Sequence, residues 1–363
     1  MPKILYVATV VKTHIMQFHI PALEMLKNEG WETSVAAKND YDDPGECAIP
    51  HCDNYYDIDF SRSPFSFKNI KAYRDLKKII QENDFDIVHC HTPVGGVVAR
   101  LAAKKSRKNG TKVIYTAHGF HFYKGAPLKN WMLFYPVEYL LSKITDILIT
   151  INKEDYQLAQ KRFKAGKTVY IPGVGIDITK FDRNRFSADF IQDKRASLGL
   201  RPGEKMVLSI GELIPRKNHE VTIRAIHKLN DPNVKLFIVG QGKLMSNLQS
   251  LIFELGLEKN VFLLGYRYDV AELLCCADLF VLASKQEGLP VVLMEAIASR
   301  TKAICSDVRG CRDLVGKEAL FEQYNVESVS RSISDHLYDD YTFNNLQQYE
   351  LSNILIEIKT LYS

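Results

Sequence analysis

No stretch of this chain approaches the roughly 20 consecutive apolar residues of a transmembrane helix. The nearest, WMLFYPVEYLL, is interrupted by Pro136 and Glu138. The N-terminus, MPKILYVATVV, is a short apolar run of strand length rather than a charged region followed by a long apolar one, so no signal peptide is expected. A cysteine framework is also lacking. Seven cysteines, an odd number without regular spacing, fit a reducing cytosol better than a disulfide scaffold. Neither sign of charge is in excess: 47 Lys and Arg face 43 Asp and Glu, and a net charge of +4 is that of an ordinary solvated surface. It calls for no nucleic-acid partner, while allowing weak attraction to an anionic membrane.

What is present is a globular composition, 46% hydrophobic and 25% charged, spread over 363 residues. One hydrophobic core rarely grows to that length, so two domains are expected. β-branched runs alternate with helix-like periodic segments. KILYVATV (3–10), WETSVAA (31–37), DIVHCHT (86–92), KVIYTAHG (112–119) and TDILITIN (145–152) read as strands of a first unit, with a helix over 66–83. The pattern restarts with KMVLSIGEL (205–213), KLFIVGQG (235–242), VFLLGY (261–266), DLFVLAS (278–284) and KAICSD (302–307). Such alternation predicts α/β architecture, two parallel sheets covered on both faces. Ligands in such folds sit beyond the carboxyl ends of strands, and a cleft between two domains is the first place to look for a site.

Several short stretches carry candidate chemistry. GELIPRKN (211–218) places Arg216 and Lys217 after a strand and before a helix, a setting suited to a phosphate or diphosphate; a basic loop in water is the alternative. IVGQGKLM (238–245) has two glycines of a dinucleotide fingerprint, but Met245 stands where the third would be and no acidic residue follows at the usual distance. A nicotinamide cofactor is therefore rejected in favour of a tight strand-to-helix turn. YTAHGFHFYKGAP (115–127) puts His118 directly after a strand and against Gly119, which permits close ligand approach, with His121 and Lys124 in the same loop. DIVHCHTPVGG (86–96) sets His89 and His91 on one strand face with Cys90 on the other. No third ligand is evident, so no metal site is expected. The acidic pairs of DFD (84–86) and YDIDF (56–60) read as turn and surface residues.

KQEGLPVVLMEA (285–296) is the most informative stretch. Glu287 falls in a loop after a strand, Pro290 suits the first turn of a helix, and Glu295 lies more than one turn into it. With backbone N–H groups from Gly288 and Leu289, that helix start would be an anion cradle flanked by two carboxylates. The same pair could also be a glycosidase acid and nucleophile, or simply solvated residues.

Taken in order, GELIPRKN, VGQG (239–242), LGYRYDVAELLCCADLFVLASKQEGLPVVLMEAIAS (264–299) and DVRGCRDLV (307–315) resemble the family 4 retaining glycosyltransferases of GT-B architecture, whose signature is E-x7-E. HCHTPVGGVVARLAA (89–103) and YTAHGFHFYKGAPLKNWMLFYPVE (115–138) look closer still to the glycosyltransferases of bacterial exopolysaccharide and capsule assembly. The resemblance spans nearly the whole chain. It implies a Rossmann-like acceptor domain over 1–175, a Rossmann-like donor domain over 176–343, and a final helix, 344–363, packing back on the first. It also implies transfer from a nucleotide diphosphate sugar, a UDP-sugar, to a polyprenyl-diphosphate-linked glycan at the cytoplasmic membrane face, with no metal or other cofactor.

Residue by residue, Arg216 and Lys217 would hold the donor diphosphate, and Glu287 the hydroxyls of the donor sugar. Gly288 and Leu289 would give N–H groups, and Glu295 would accept from the ribose. His118 would touch the sugar near its anomeric centre. Tyr266 and Arg267 would border the base, and Gly240 falls with the donor-binding residues. His14, Phe18, His91, His121 and Lys124 are the acceptor-side candidates. Three departures stand out: ATVVKTHIMQFH (8–19) lacks a glycine pair common in the family, Glu212 stands where arginine is usual, and Arg300 replaces a glycine after the E-x7-E helix. Rival readings are a nucleotide-sugar 2-epimerase, a glycosidase and a catalytically silent nucleotide-sugar-binding subunit.

Overall fold

The computed structural model describes residues 1–338 and 345–363. Met1–Val174 with Ser352–Ser363 form one compact unit and Gly175–Leu351 the other. The first is built on seven strands: β1 (Lys3–Val10), β2 (Glu32–Lys38), β3 (Asn54–Asp57), β4 (Ile87–Cys90), β5 (Lys112–Ala117), β6 (Ile147–Thr150) and β7 (Lys167–Tyr170). They pair in the order β3-β2-β1-β4-β5-β6-β7, all parallel. The run KILYVATV shows why the sheet is covered on both sides. Leu5 and Val7 enter one core cluster while Ile4, Tyr6 and Ala8 enter the other. Helices α1 (Ile20–Asn28), α2 (Lys68–Asn83), α3 (Pro93–Arg107), α4 (Leu128–Ser142) and α5 (Lys153–Arg162) supply the covering layers.

The second unit repeats the plan with β8 (Lys205–Ile210), β9 (Val234–Val239), β10 (Val261–Gly265), β11 (Leu279–Leu282), β12 (Lys302–Ser306) and β13 (Leu320–Phe321), ordered β10-β9-β8-β11-β12-β13. Its helices are α6 (Ala188–Ser197), α7 (His219–Leu229), α8 (Met245–Glu254), α9 (Val270–Cys276), α10 (Val291–Ala298) and α11 (Val326–Tyr338). Both strand orders reverse direction once, between β1 and β4 and between β8 and β11. Those two crevices are where such sheets bind ligands.

Three local features differ from the sequence reading. The stretch after β1 is not a loop: Val11–Ile15 form a single π turn that runs into Met16–Phe18 and then α1, a widened turn often found at functional sites. β4 stops at Cys90, so His91 is the first residue beyond the strand rather than its last, its N–H bonded to the Val7 carbonyl at 2.8 Å. Arg300 does not disturb the turn after α10. It sits at φ +53°, with its N–H on the Ile297 carbonyl and that of Thr301 on the Ala296 carbonyl, the paired bonds of a Schellman motif. A side chain in that left-handed well costs about 1 kcal/mol. Arg300→Gly is therefore expected to raise stability by roughly 0.5–1 kcal/mol, read as a higher denaturation midpoint. An unchanged or lower midpoint would refute the strain.

The final helix, α12 (Leu351–Thr360), adds Ile354, Leu361 and Tyr362 to the core of the first unit. The proposed 343/344 boundary lies outside the described residues. Tyr362 is fully engaged: its hydroxyl meets Tyr6 Oη at 2.6 Å and His89 Nδ1 at 2.7 Å, while His89 Nε2 meets Thr116 Oγ1 at 2.8 Å. Tyr362→Phe strands two buried polar partners and is expected to cost about 1–3 kcal/mol by urea denaturation. A loss below a few tenths would mean the network relaxes without it.

Candidate functional site

In the C-terminal unit, two loops leave the strands flanking the crevice. One follows β8 and carries Arg216 and Lys217; the other follows β11 and carries Glu287. They are stitched by the Lys285 N–H on the Arg216 carbonyl, 2.8 Å. Glu287 then closes an ionic cluster. Lys217 Nζ lies 2.6 Å from its Oε1, Arg216 Nη1 lies 3.3 Å from its Oε2, and Arg216 also donates to the Gln286 carbonyl at 3.1 Å. The carboxylate is buried while Arg216 is largely exposed. Burial alone pushes Glu287 up, but Lys217 and Arg216 together hold it below the usual carboxylate range.

The backbone around this cluster is packed closely. At Gly240 (φ +150°) a Cβ would come within 1.9 Å of the Gly211 carbonyl oxygen, and at Gly310 (φ +77°) within 2.2 Å of the Gly288 carbonyl oxygen. Gly240 thus locks the loop after β9 onto the loop bearing Arg216. Gly310 lets the chain after β12 press on the start of α10, where Pro290 stands at the N-cap, one residue before the first turn expected for it, and makes no side-chain cap bond. Arg309, which sequence reasoning left without a role, is buried and donates Nε to the Glu287 carbonyl at 3.2 Å. The motif DVRGC was visible in the sequence, but the residue it supports lies on another strand's loop.

Glu295, on α10, has its pKa raised to about 7, by burial first, with Lys180 pulling the other way. Its folded value lies above the ordinary 4.5. The stability it permits is therefore full below about pH 4.5, falls as pH rises towards 7, and stays low above. Glu295→Gln removes the burden. The variant should match wild type near pH 4.5 and exceed it at pH 8 by roughly 2 kcal/mol, after allowance for screening at the partly exposed carboxylate. Equal pH–stability curves would contradict the buried carboxylate.

In the N-terminal unit, the corresponding crevice gathers imidazoles. His14 lies within the π turn, His19 is the N-cap of α1, His91 follows β4 and His118 follows β5. His14 Nε2 and His19 Nε2 are 3.2 Å apart, and His91 Nδ1 and His118 Nε2 are 3.3 Å apart. Burial depresses all four, His118 to about 4 and His14, His19 and His91 well below the usual imidazole value. Phe18 sets its ring edge against His14, centroids 5.4 Å apart. Thr92, next to His91, has φ +62°, a costly backbone for a β-branched residue, and bonds Thr9 Oγ1 at 2.7 Å. The His118 loop is anchored where the Phe120 N–H meets buried Asp155, 3.0 Å.

Beside these rings lies a cavity of about 600 Å³, lined largely by apolar groups including Phe65, Val97, Phe134 and Val137, with His14, His121 and Arg62 on its wall. His121 packs on Phe134, centroids 4.7 Å apart. Not every expected residue gathers here or at the ionic cluster. Lys124 is exposed and does not line the cavity. Tyr266 is exposed after β10, and the Arg267 guanidinium is held bidentately by Asp269 at 2.8 and 2.5 Å.

Comparison with known proteins agrees with this geometry. Residues 3–152 match the family described as glycosyl transferase 4-like, and residues 190–352 match glycosyl transferases group 1. The Bacillus subtilis (strain 168) protein EpsD, named as a glycosyltransferase, is 42% identical over 316 residues, which cover 86% of this chain and 81% of EpsD. An Escherichia coli UDP-Gal:alpha-D-GlcNAc-diphosphoundecaprenol alpha-1,3-galactosyltransferase is 28% identical over 326 residues, 86% of this chain and 80% of its own. Among solved structures, Anabaena HepE in complex with UDP and glucose aligns with a TM-score of 0.78 over 99% of both chains at 20% identity, a likeness of fold. With two parallel Rossmann-like sheets of GT-B type and a 42% identical relative along most of its length, the chain belongs to the glycosyltransferases, group 1 in its C-terminal half and 4-like in its N-terminal half.

Proposed function

We propose that the protein transfers a hexose or N-acetylhexosamine from a UDP-sugar to a polyprenyl-diphosphate-linked glycan, with retention of anomeric configuration, in the assembly of a bacterial surface polysaccharide. The observation that carries this reading is the cluster of Arg216, Lys217 and Glu287 at the switch point of the C-terminal sheet. Two cations there suit the charge that grows on a departing diphosphate. Glu287 takes hydroxyls of the donor sugar, Gly288 and Leu289 offer backbone N–H groups, and Glu295 accepts from the ribose. The loop of Tyr266 and Arg267 borders the base, through Tyr266 and backbone groups, since the Arg267 side chain is spoken for. His118 keeps the contact with the donor sugar that the resemblance implies. The acceptor hydroxyl attacks the face the diphosphate leaves, and the leaving phosphate accepts its proton. Ribose hydroxyls donating to Glu295 favour its ionised form, so donor affinity should weaken as pH falls below about 7.

The UDP and lipid-linked parts are supported by the name of the Escherichia coli relative. The apolar cavity in the N-terminal unit suits the acceptor side, with His14, His91 and His121 as polar contacts. Membrane contact is read on α4. Its aromatics Trp131, Phe134, Tyr135 and Tyr139 pack against the core, while Leu128, Met132 and Leu140 are exposed on the same segment as exposed Lys124 and Lys129. No helix among the described residues is long and apolar enough to cross a membrane.

The test is a panel of UDP-, GDP- and ADP-sugars, scored first by thermal stabilisation and then by transfer to a polyprenyl-diphosphate-linked sugar. The anomeric configuration of the product is read by NMR. An α-linked product from an α-linked UDP donor is expected. A β-linked product overturns retention, consumption of UDP-sugar with no acceptor favours an epimerase, and binding without turnover favours a silent subunit. The glycosidase reading has little support: both oxygens of Glu287 are held by cations, which makes a poor nucleophile.

A further inference from the structure

His89 and His91 alone do not make a metal site, but the fold brings three further imidazoles to His91. His14, His19, His91 and His118 each offer one ring nitrogen, and these nitrogens all lie within 4.8 Å of one another. Two of the separations, 3.2 Å for His14–His19 and 3.3 Å for His91–His118, are those of a tetrahedron's edges. An ion with zinc-to-nitrogen distances of about 2.0–2.1 Å has ligand atoms about 3.3–3.4 Å apart. On the His91–His118 edge the His91 atom is Nδ1; its other ring nitrogen, Nε2, is buried and finds no hydrogen-bond partner among the described residues and is not counted as a ligand. His89 is excluded from the set because both its nitrogens are already bonded, to Tyr362 and Thr116.

The geometry points to a binding site for a divalent transition ion held by His14, His19, His91 and His118, whose occupation inhibits sugar transfer. Four imidazoles without a carboxylate select the zinc, cobalt, nickel and copper group over magnesium or calcium. His14 also lines the 600 Å³ cavity, which gives the ion a way in. The site is not a cofactor site. An ion there would fix His118 as a ligand and withdraw it from the sugar; that inhibitory half rests on the function proposed above, whereas binding of the ion does not.

The experiment starts from untagged protein without nucleotide. Titration with Co²⁺ should give the intense visible bands of tetrahedral coordination, saturating at one ion per chain and displaced by Zn²⁺. His19→Gln, and separately His91→Gln, should weaken binding at least about tenfold, each variant being checked for an unchanged far-UV spectrum. Two variants guard against one failing to fold. Absence of tetrahedral bands, or bands that survive in a folded variant, overturns the site and leaves four hydrogen-bonded imidazoles. In a transfer assay, Zn²⁺ should inhibit wild type and a chelator restore it. Zn²⁺ bound at one per chain without inhibition overturns the inhibitory role. Loss of transfer under every donor would instead sink the proposed function, while the cobalt titration still decides the site.

Discussion

Lys217→Ala is expected to lower kcat for sugar transfer by about 10²–10³-fold with the fold retained, the usual effect of removing one donor aimed at developing transition-state charge. Lys217 is mostly buried, and its ammonium sits 2.6 Å from Glu287. Without a donor, the carboxylate occupies the charge; as the sugar leaves, the diphosphate competes for it. Two consequences of the substitution must be separated. Glu287 is left with only Arg216, which is exposed and 3.3 Å away, so the carboxylate loses its nearer partner and stability falls. Combining Lys217→Ala with Glu287→Gln should recover that stability, because no buried charge remains, yet leave kcat low. A double variant regaining activity would show that Lys217 serves Glu287 alone. Wild-type kcat and KM in the single variant would remove Lys217 from the mechanism.

The second large effect is on stability. Arg100 is buried on α3, its Nε on the Gly96 carbonyl at 2.8 Å, Nη1 on Glu138 at 2.9 Å, and its guanidinium 3.9 Å from the centre of the Tyr115 ring. Glu138→Ala leaves that cation uncompensated in the core and is expected to cost about 3–5 kcal/mol. In a unit of this size that corresponds to a melting temperature lower by roughly 10 °C. Replacing the pair together, Arg100→Met with Glu138→Leu, should recover most of the loss, since burying two charges has its own penalty. A shift of only a degree or two in Glu138→Ala would show that Tyr115 and the Gly96 carbonyl suffice to hold the guanidinium.

How far the molecule could be read from its residues depends on strand length and on neighbours distant in sequence. The long β-branched runs of β1, β8 and β9 announced themselves, because a strand buried on both faces must be apolar throughout. β3 (NYYD), β7 (KTVY) and β13 (LF) did not: each is a short strand at a sheet edge, where little apolar surface needs covering. At the donor side, position after a strand was enough to single out Arg216, Lys217 and Glu287. Their contact required knowing that β8 lies beside β11, which no local spacing states. His19 was passed over for the same reason. It looked like a residue in a loop, and only the π turn and the β1–β4 crevice bring it to His91 and His118. Thr92's left-handed backbone had no signature at all, since threonine is a poor choice there.

The pairing of Tyr6 with Tyr362 has a consequence for how the chain is made. A ribosome delivers β1 before the second unit and α12 after it, at about 5–20 residues per second, and domains generally fold from the N-terminus as they emerge. Here the hydroxyl of Tyr6 and the ring of His89 wait for a tyrosine 356 residues downstream of Tyr6. The C-terminal unit, Gly175–Leu351, is complete before Tyr362 has been synthesised. The unit begun first is therefore finished after the second, and a chain stalled before α12 would release a folded second unit joined to a first one still missing its lock.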